Sequence, residues 1–280
     1  ILDKTERPLE AFDILQHAHK LHPNDSNISL NLANVCLSLG KPREAQTLIS
    51  HPKTASEYNT LGIARYVQRD WKGAKNLFRQ ALGSEPDFAG AHENLALTLL
   101  HLKKYKAGWM EYDWRWRNSA NQLTKRVFNK PIWNGQPLGG KTLLLHSEQG
   151  FGDTIQFIRY AKFIKKDRGK IFLMCQSELV DLLRNVPGLD EVFVLGSKIP
   201  NYDFHAPLLS LAGIIRDLGE GIPTFDSYLK VSGVSEQSSL ENKNFKIGVC
   251  WEGKPRHMYD PYRNRSCPVN LFKIIIQHPG

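Results

Sequence analysis

A chain of 280 residues has room for two buried cores, and the absence of any run of eighteen apolar residues leaves no expected membrane span. Its 37 Lys and Arg against 28 Asp and Glu give a formal charge of +9, spread too thinly to argue for a nucleic-acid partner. Four cysteines, Cys36, Cys175, Cys250 and Cys267, lie far apart with no Cys-x-x-Cys or Cys/His spacing, so buried free thiols in a reducing compartment are expected, with no metal and no cofactor.

The chain opens ILDKTERP, without Met or an apolar leader; a clipped start and a cytoplasmic protein are expected. An internal repeat comes next. Ala11, Leu15, Ala18 and Pro23 lie at the same spacings as Ala74, Phe78, Ala81 and Pro86. Ala45 and Ile49 stand 34 residues after Ala11 and Leu15, and Gly108 and Tyr112 stand 34 after Ala74 and Phe78. Tyr58, Leu61 and Gly62 are echoed by His92, Leu95 and Ala96. The pattern over residues 5–118 resembles the tetratricopeptide repeat, a helix-turn-helix unit with small residues where its helices touch. From Ala45 to Ala74 is only 29 residues, so the helix after Ala45 should be cut short near His51-Pro52. His17, His19 and His22 do not share a helix face, which argues against a metal site there.

The array closes in GWMEYDWRWRN, where Arg115 and Arg117 alternate with Trp114 and Trp116. Base stacking is one reading of that alternation. A terminal helix placing Trp109, Tyr112 and Trp116 on one face, packing the repeats onto the next domain, is the favoured one, with cation–π contacts as a by-product.

From about Ser119 to Gly140 helical periodicity fails, and turn residues around Pro131 and Trp133–Gly140 mark a linker. Beyond it, apolar runs at 142–145, 171–175, 192–195 and 247–251 read as strands. Stretches 153–166, 177–186 and 209–218 read as helices. Alternation of this kind implies a parallel sheet covered on both faces. The expected organisation is therefore α + α/β with two domains: a helical repeat array at 1–118, a linker at 119–140, and a Rossmann-like sheet domain at 141–280.

The most informative segment is KTLLLHSEQGFGDTIQFIRY, where a strand runs through Gly150-Phe151-Gly152-Asp153 into a helix. That arrangement brings unpaired helix N–H groups to an anionic ligand. Asp153 is placed either to cap the helix or to take a proton from a substrate. Ligands of parallel sheets sit at the strands' C-terminal ends, so His146, Glu148, His205 and the loop WEGKPRHMYDPYRNRS should converge there. Glu148 and Gln149 have a simpler role available in binding N–H groups of the turn.

The stretches WNGQPLGGKTLLLHSEQGFGDTIQFIRYA, MCQSELVDLL, PGLDEVFV, YDFHAPLLSL and GVCWEGKPRH resemble the bacterial tetratricopeptide-repeat glycosyltransferases. Their catalytic part is similar to the ADP-heptose lipopolysaccharide heptosyltransferases. The resemblance implies two facing Rossmann-like domains, of which this chain holds the acceptor side and is truncated at both ends. It implies Asp153 as the base that deprotonates an acceptor hydroxyl, with Gly150 and Gly152 as turn glycines. His205, His257, Asp260, Arg263, Arg265 and Ser266 are implied as substrate- or phosphate-binding. Pro261-Tyr262 interrupts the His-x-x-Asp…Arg-Ser pattern, leaving Arg263 and Arg265 as alternatives for one position.

A hexosyl- or heptosyl-type transfer is implied, with a nucleotide-sugar donor held by a missing C-terminal domain and an acceptor that is a protein, lipid or glycan. A peptide or protein on the concave face of the repeats is a further implied partner. The chain alone is expected to turn nothing over. The absence of an Asp-x-Asp pair favours a metal-independent mechanism, and Ile155 where a dinucleotide fingerprint needs Gly argues against a dehydrogenase. The rival expectation is a non-catalytic protein-interaction module with a degenerate Rossmann-like scaffold.

Overall fold

The computed structural model describes residues 7–118, 128–164, 167–215, 227–230 and 267–272. Residues up to Pro86 belong to one compact unit and Asp87–Ser235 form another.

The first unit contains α1 (Pro8–Leu21), α2 (Ser26–Ser38), α3 (Pro42–Leu48), α4 (Ala55–Val67) and α5 (Trp71–Ser84). Proline begins α1 and α3, where its missing N–H costs nothing. Asp25 caps α2 by accepting from the N–H groups of Asn27 and Ile28 at 2.8 and 3.1 Å. At α4 the Thr54 hydroxyl accepts from Glu57 N–H while the Glu57 carboxylate accepts from the N–H groups of Thr54 and Lys53, a capping box. Helix α3 ends at Leu48, just ahead of His51-Pro52, as the shortened spacing requires.

The repeat is also written in the backbone. Gly40, Arg69 and Lys103 all take left-handed φ values, 76°, 64° and 58°. Just beyond each, the N–H of Lys41, Asp70 and Lys104 bonds the carbonyl five residues back, on Cys36, Arg65 and Leu99, at 2.8, 3.0 and 2.8 Å. The α2–α3 and α4–α5 turns, and the turn between the helices Ala89–His101 and Tyr105–Tyr112, thus share one helix-terminating motif. Around α2–α4 the core collects Leu32, Ala33, Cys36, Leu37, Ala45, Ile49 and Ala64.

The second unit opens with the last helical pair, α6 (Ala89–His101) and α7 (Tyr105–Tyr112), and a 3₁₀ turn at Asp113–Trp116. The strands are β1 (Thr142–His146), β2 (Lys170–Cys175), β3 (Glu191–Val194) and β4 (Phe204–Pro207). They form one fully parallel sheet in the order β3-β2-β1-β4. Alternation along β1 sorts its residues: Leu143 and Leu145 join the larger core with Phe157, Ile158, Ile171 and Leu173, while Leu144 packs with Phe172 and Met174 on the other face.

Sequence patterning places no strand at β4. Phe204-His205-Ala206-Pro207 has neither β-branched residues nor length, so its propensity is weak. It is held instead by β1 on one side and by residues 131–133 on the other, where Trp133 N–H donates to His205 O and His205 N–H to Pro131 O. Trp133 and Leu138, inside the expected linker, are 2% and 1% exposed and belong to the larger core.

Helix α8 (Phe151–Ile158) starts two residues earlier than periodicity suggests and passes into a 3₁₀ stretch at Arg159–Phe163. The expected helices at 177–186 and 209–218 shrink to α9 (Val180–Leu183) and α10 (Leu211–Ile214), each entered through a 3₁₀ turn. Gly188, at φ 101°, ends the first of these regions against the backbone of Ala161. The strand expected at 247–251 lies outside the described residues.

Candidate functional site

Gly150 occupies the N-cap of α8 in extended conformation, which puts Asp153 at the third helical position rather than at the cap. Its carboxylate reaches back so that Oδ2 accepts from the Gly150 N–H at 3.1 Å. Half a capping box results, since glycine has no side chain to complete it. Oδ1 accepts no hydrogen bond among the described residues, and Asp153 is half-buried. Among the described residues a Cβ on Gly152 would meet no atom within 4 Å, so none of them demands glycine there.

The turn is held from β2. Gln176 donates to the carbonyl of Gln149 at 2.8 Å and accepts from the Thr154 hydroxyl at 3.0 Å. One amide side chain thereby fixes the residue before the glycine and the first buried residue of α8.

Strand order reverses at β1: the chain moves out to β2 and β3, then returns to β4 on β1's far side. The crevice at such a reversal, beyond the strands' C-terminal ends, is where ligands of parallel sheets bind. Here it contains a buried ion pair. Glu148, after β1, takes two hydrogen bonds from Arg115, both 2.9 Å, and a third from the N–H of Leu209, after β4, at 3.1 Å. Arg115 Nη1 donates to Tyr112 O and Asp113 Oδ1, and Nη2 also donates to Ser210 Oγ, so all five guanidinium N–H groups are used. Ser210 closes the ring by donating to Asp113 at 2.7 Å. The rings of Tyr112 and Trp116 lie 4.6 and 5.0 Å from the cation.

Burial opposes the charge on Arg115, and the Glu148 carboxylate more than offsets it, holding the guanidinium above its usual pKa. Burial pushes the Tyr112 hydroxyl up to about 12 against the pull of Arg115. Arg115 stands 34 residues after Ala81, at the position that Ala18 holds in the first unit. Sequence reasoning missed this role, and that departure from the repeat is the signal that could have found it; its partners are 33 and 95 residues away and leave none.

Trp109 and Tyr112 pack on the core of the sheet as expected, but α7 ends at Tyr112 and Trp116 lies in the 3₁₀ turn over Arg115, so the three aromatic residues do not share one helix face. Trp109 meets Phe157 edge-on at 5.5 Å and rests against Gly213 of α10. Arg117 lies over Trp114, which stacks on His92, itself paired with Glu111.

His205 pairs in register with Leu144, on the face opposite α8. It is 8% exposed, its Nδ1 is 3.3 Å from His146 Nε2, and Phe128 stacks on both imidazoles. Burial lowers its pKa, against a hydrogen bond to the backbone of Lys130. The described residues thus bring Gly150, Gly152 and Asp153 together and set His205 on the sheet's other side. His257, Asp260, Arg263, Arg265 and Ser266 lie outside the described residues. Among the described residues no group of three His, Cys, Asp or Glu is placed to hold a metal, and no helix is long and apolar enough to cross a membrane.

Family models of the tetratricopeptide repeat match residues 4–54 and 59–108, so repeats of that kind precede the parallel four-stranded sheet. It is similar to the protein FlbA of Caulobacter vibrioides, 22% identical over 338 aligned positions that take in 98% of this chain and 56% of that protein. The chain spans a little over half the length of this curated relative. Among solved structures it is similar to MamA of Desulfovibrio magneticus RS-1, with TM-score 0.37 and 18% identity over 40% of this chain and 66% of that one. It is also similar to an O-GlcNAc transferase of Thermobaculum terrenum, with TM-score 0.40 and 18% identity over 69% of this chain and 39% of that one.

Proposed function

We propose that the chain is the acceptor-side half of a metal-independent, inverting glycosyltransferase using a nucleotide-sugar donor, with a Rossmann-like sheet domain and with repeats that select the acceptor. The supporting observation is the Gly150–Asp153 turn: it leaves β1 where the strand order reverses, and among the described residues Asp153 Oδ1 is uncommitted and nothing lies within 4 Å of a Cβ on Gly152. Glycine at such a position lets a ligand approach the backbone closely.

Asp153 takes the proton of an acceptor hydroxyl, whose oxygen attacks the anomeric carbon of the donor. The bond to the nucleoside diphosphate breaks with its electron pair leaving on the phosphate. The negative charge developing there is the charge that cationic and hydrogen-bond donors stabilise; His257, Arg263 or Arg265, and Ser266 are proposed to face it, with Asp260 of the same loop proposed to accept from substrate hydroxyls. The acceptor that the repeats select is a protein, a lipid or a glycan.

The test is Asp153→Asn in the full-length protein, assayed for label transfer from a panel of nucleotide sugars. Asparagine can still accept from the Gly150 N–H, so the fold should survive. Loss of roughly 100-fold or more in rate is expected for a missing general base. Transfer at the wild-type rate removes Asp153 from the mechanism.

One observation favours the rival reading, a non-catalytic interaction module. The crevice at the strand reversal is occupied by Arg115 and Glu148, which neutralise each other. Full-length wild-type protein that transfers no sugar from any donor in the panel supports that reading.

A further inference from the structure

Lys103 and Lys104 of the turn between α6 and α7, with Lys106 in the first turn of α7, surround a surface hollow of about 330 Å³ completed by Tyr105, Ala107 and Met110. The three lysines are exposed, and Met110 is 68% exposed. None of the three has an acidic partner among the described residues. Glu111, the acid nearest in sequence, is committed to His92. The hollow therefore pairs unneutralised ammonium groups with a bare thioether and a phenol ring.

We propose that this hollow docks an acidic peptide segment carrying an apolar side chain. A thioether is polarizable and adapts its shape, so Met110 suits an inserted aliphatic or aromatic group. Flanking carboxylates would then meet the lysines as point charges. The volume lies at the lower end of that of ligand pockets, roughly 300 Å³, which fits a side chain or two. A single-stranded nucleic acid needs a groove tracking several phosphates beside stacked aromatics, and an anionic lipid surface is read by clusters of about four to eight cations. Three lysines within four residues supply neither. The surface is formed by the turn and the second helix of the pair, and the inference is independent of sugar transfer.

Methionine-methyl NMR on the 280-residue chain tests it, because the chain has only three methionines. Met110 reports on the hollow, and Met174, 5% exposed on β2, serves as internal reference. The probe is the acetylated hexapeptide Glu-Glu-Leu-Glu-Glu-Leu. Saturable movement of the Met110 signal with a Kd below about 1 mM, a still Met174, and at least tenfold weaker binding by Lys104→Glu/Lys106→Glu are the expected results. Both substitutions are on exposed side chains, so a retained Met174 shift certifies the fold. The proposal is overturned by a silent Met110, by equal movement with Lys-Lys-Leu-Lys-Lys-Leu, or by an undiminished response in the double variant. It is equally overturned if only a single-stranded oligonucleotide or phosphatidylserine vesicles move the signal.

Discussion

Arg115 and Glu148, 33 residues apart, meet as a bidentate pair whose side chains are 1% and 2% exposed. The pair ties the end of the last helical repeat to the loop after β1, and Leu209 N–H adds the loop after β4 to the same carboxylate. Removing one partner leaves the other charge buried alone, which costs about 3–5 kcal/mol. Glu148→Gln and Arg115→Met should each lower the urea midpoint of the second unit accordingly. The double variant Arg115→Met/Glu148→Leu should recover much of the loss, because two apolar groups leave no orphan charge. Tryptophan fluorescence reads the transition, since Trp109, Trp114, Trp116 and Trp133 all belong to this unit. Additive losses in the double variant would mean that the pair is not coupled.

The repeats give a paired test of close packing. A Cβ on Gly62 would run into the ring of Phe78, itself fully buried, whereas one on Gly83 would meet nothing within 4 Å among the described residues. Gly62→Ala should destabilise the first unit by about 1–3 kcal/mol, the usual penalty of overpacking. Gly83→Ala, inside α5, should stabilise it by about 0.5–1 kcal/mol through helix propensity and a less free unfolded chain. Circular-dichroism melts of the two variants should move in opposite directions, and movement in the same direction contradicts the packing.

Glu57 makes that unit acid-sensitive. Burial pushes its carboxyl up, but the N–H groups of Lys53 and Thr54 outweigh burial and hold its pKa below 4.5. A carboxylate with a lowered folded-state pKa contributes stability that is present above about 4.5 and lost as pH falls through the folded value. Glu57→Ala should cost about 1 kcal/mol at neutral pH, the value of a cap, and flatten part of the acid limb below pH 4.5. An acid limb identical to wild type would remove Glu57 from it.

How much of the fold is legible in the sequence depends on how local each signal is. Small residues at fixed spacing mark helix contacts, so Ala11, Ala45 and Ala74 reveal the repeat, and all three are buried. Strands β1, β2 and β3 are visible as apolar runs bounded by turn residues. β4 is not, because its order comes from neighbours at Leu144 and Pro131 rather than from its own residues. The glycine turn is visible, since strand, glycine and helix adjoin directly. The clamp by Gln176 and the ring around Arg115 are not, because hydrogen bonds between loops far apart in sequence impose no spacing. Only Arg115, at the position that Ala18 and Ala81 hold in their units, hints at the second.

His205 supplies a last, separate pH effect to be weighed against that of Glu57. It lies between β1 and residues 131–133, its imidazole facing His146 at 3.3 Å, the ring of Phe128 and the backbone of Lys130. Burial lowers its pKa below 6.5 in the folded chain, so near that pH the unfolded chain binds more protons than the folded one. Stability then rises with pH up to about 6.5 and is lost as pH falls through the folded-state value. His205→Phe keeps an aromatic ring against Phe128 but cannot be protonated. It should therefore narrow the difference in melting temperature between pH 7.5 and pH 5 that wild type shows. Glu57 is untouched by this change and its window lies lower, so the two effects separate by pH. If the difference between pH 7.5 and pH 5 stays the same in the variant, His205 is not the group that titrates.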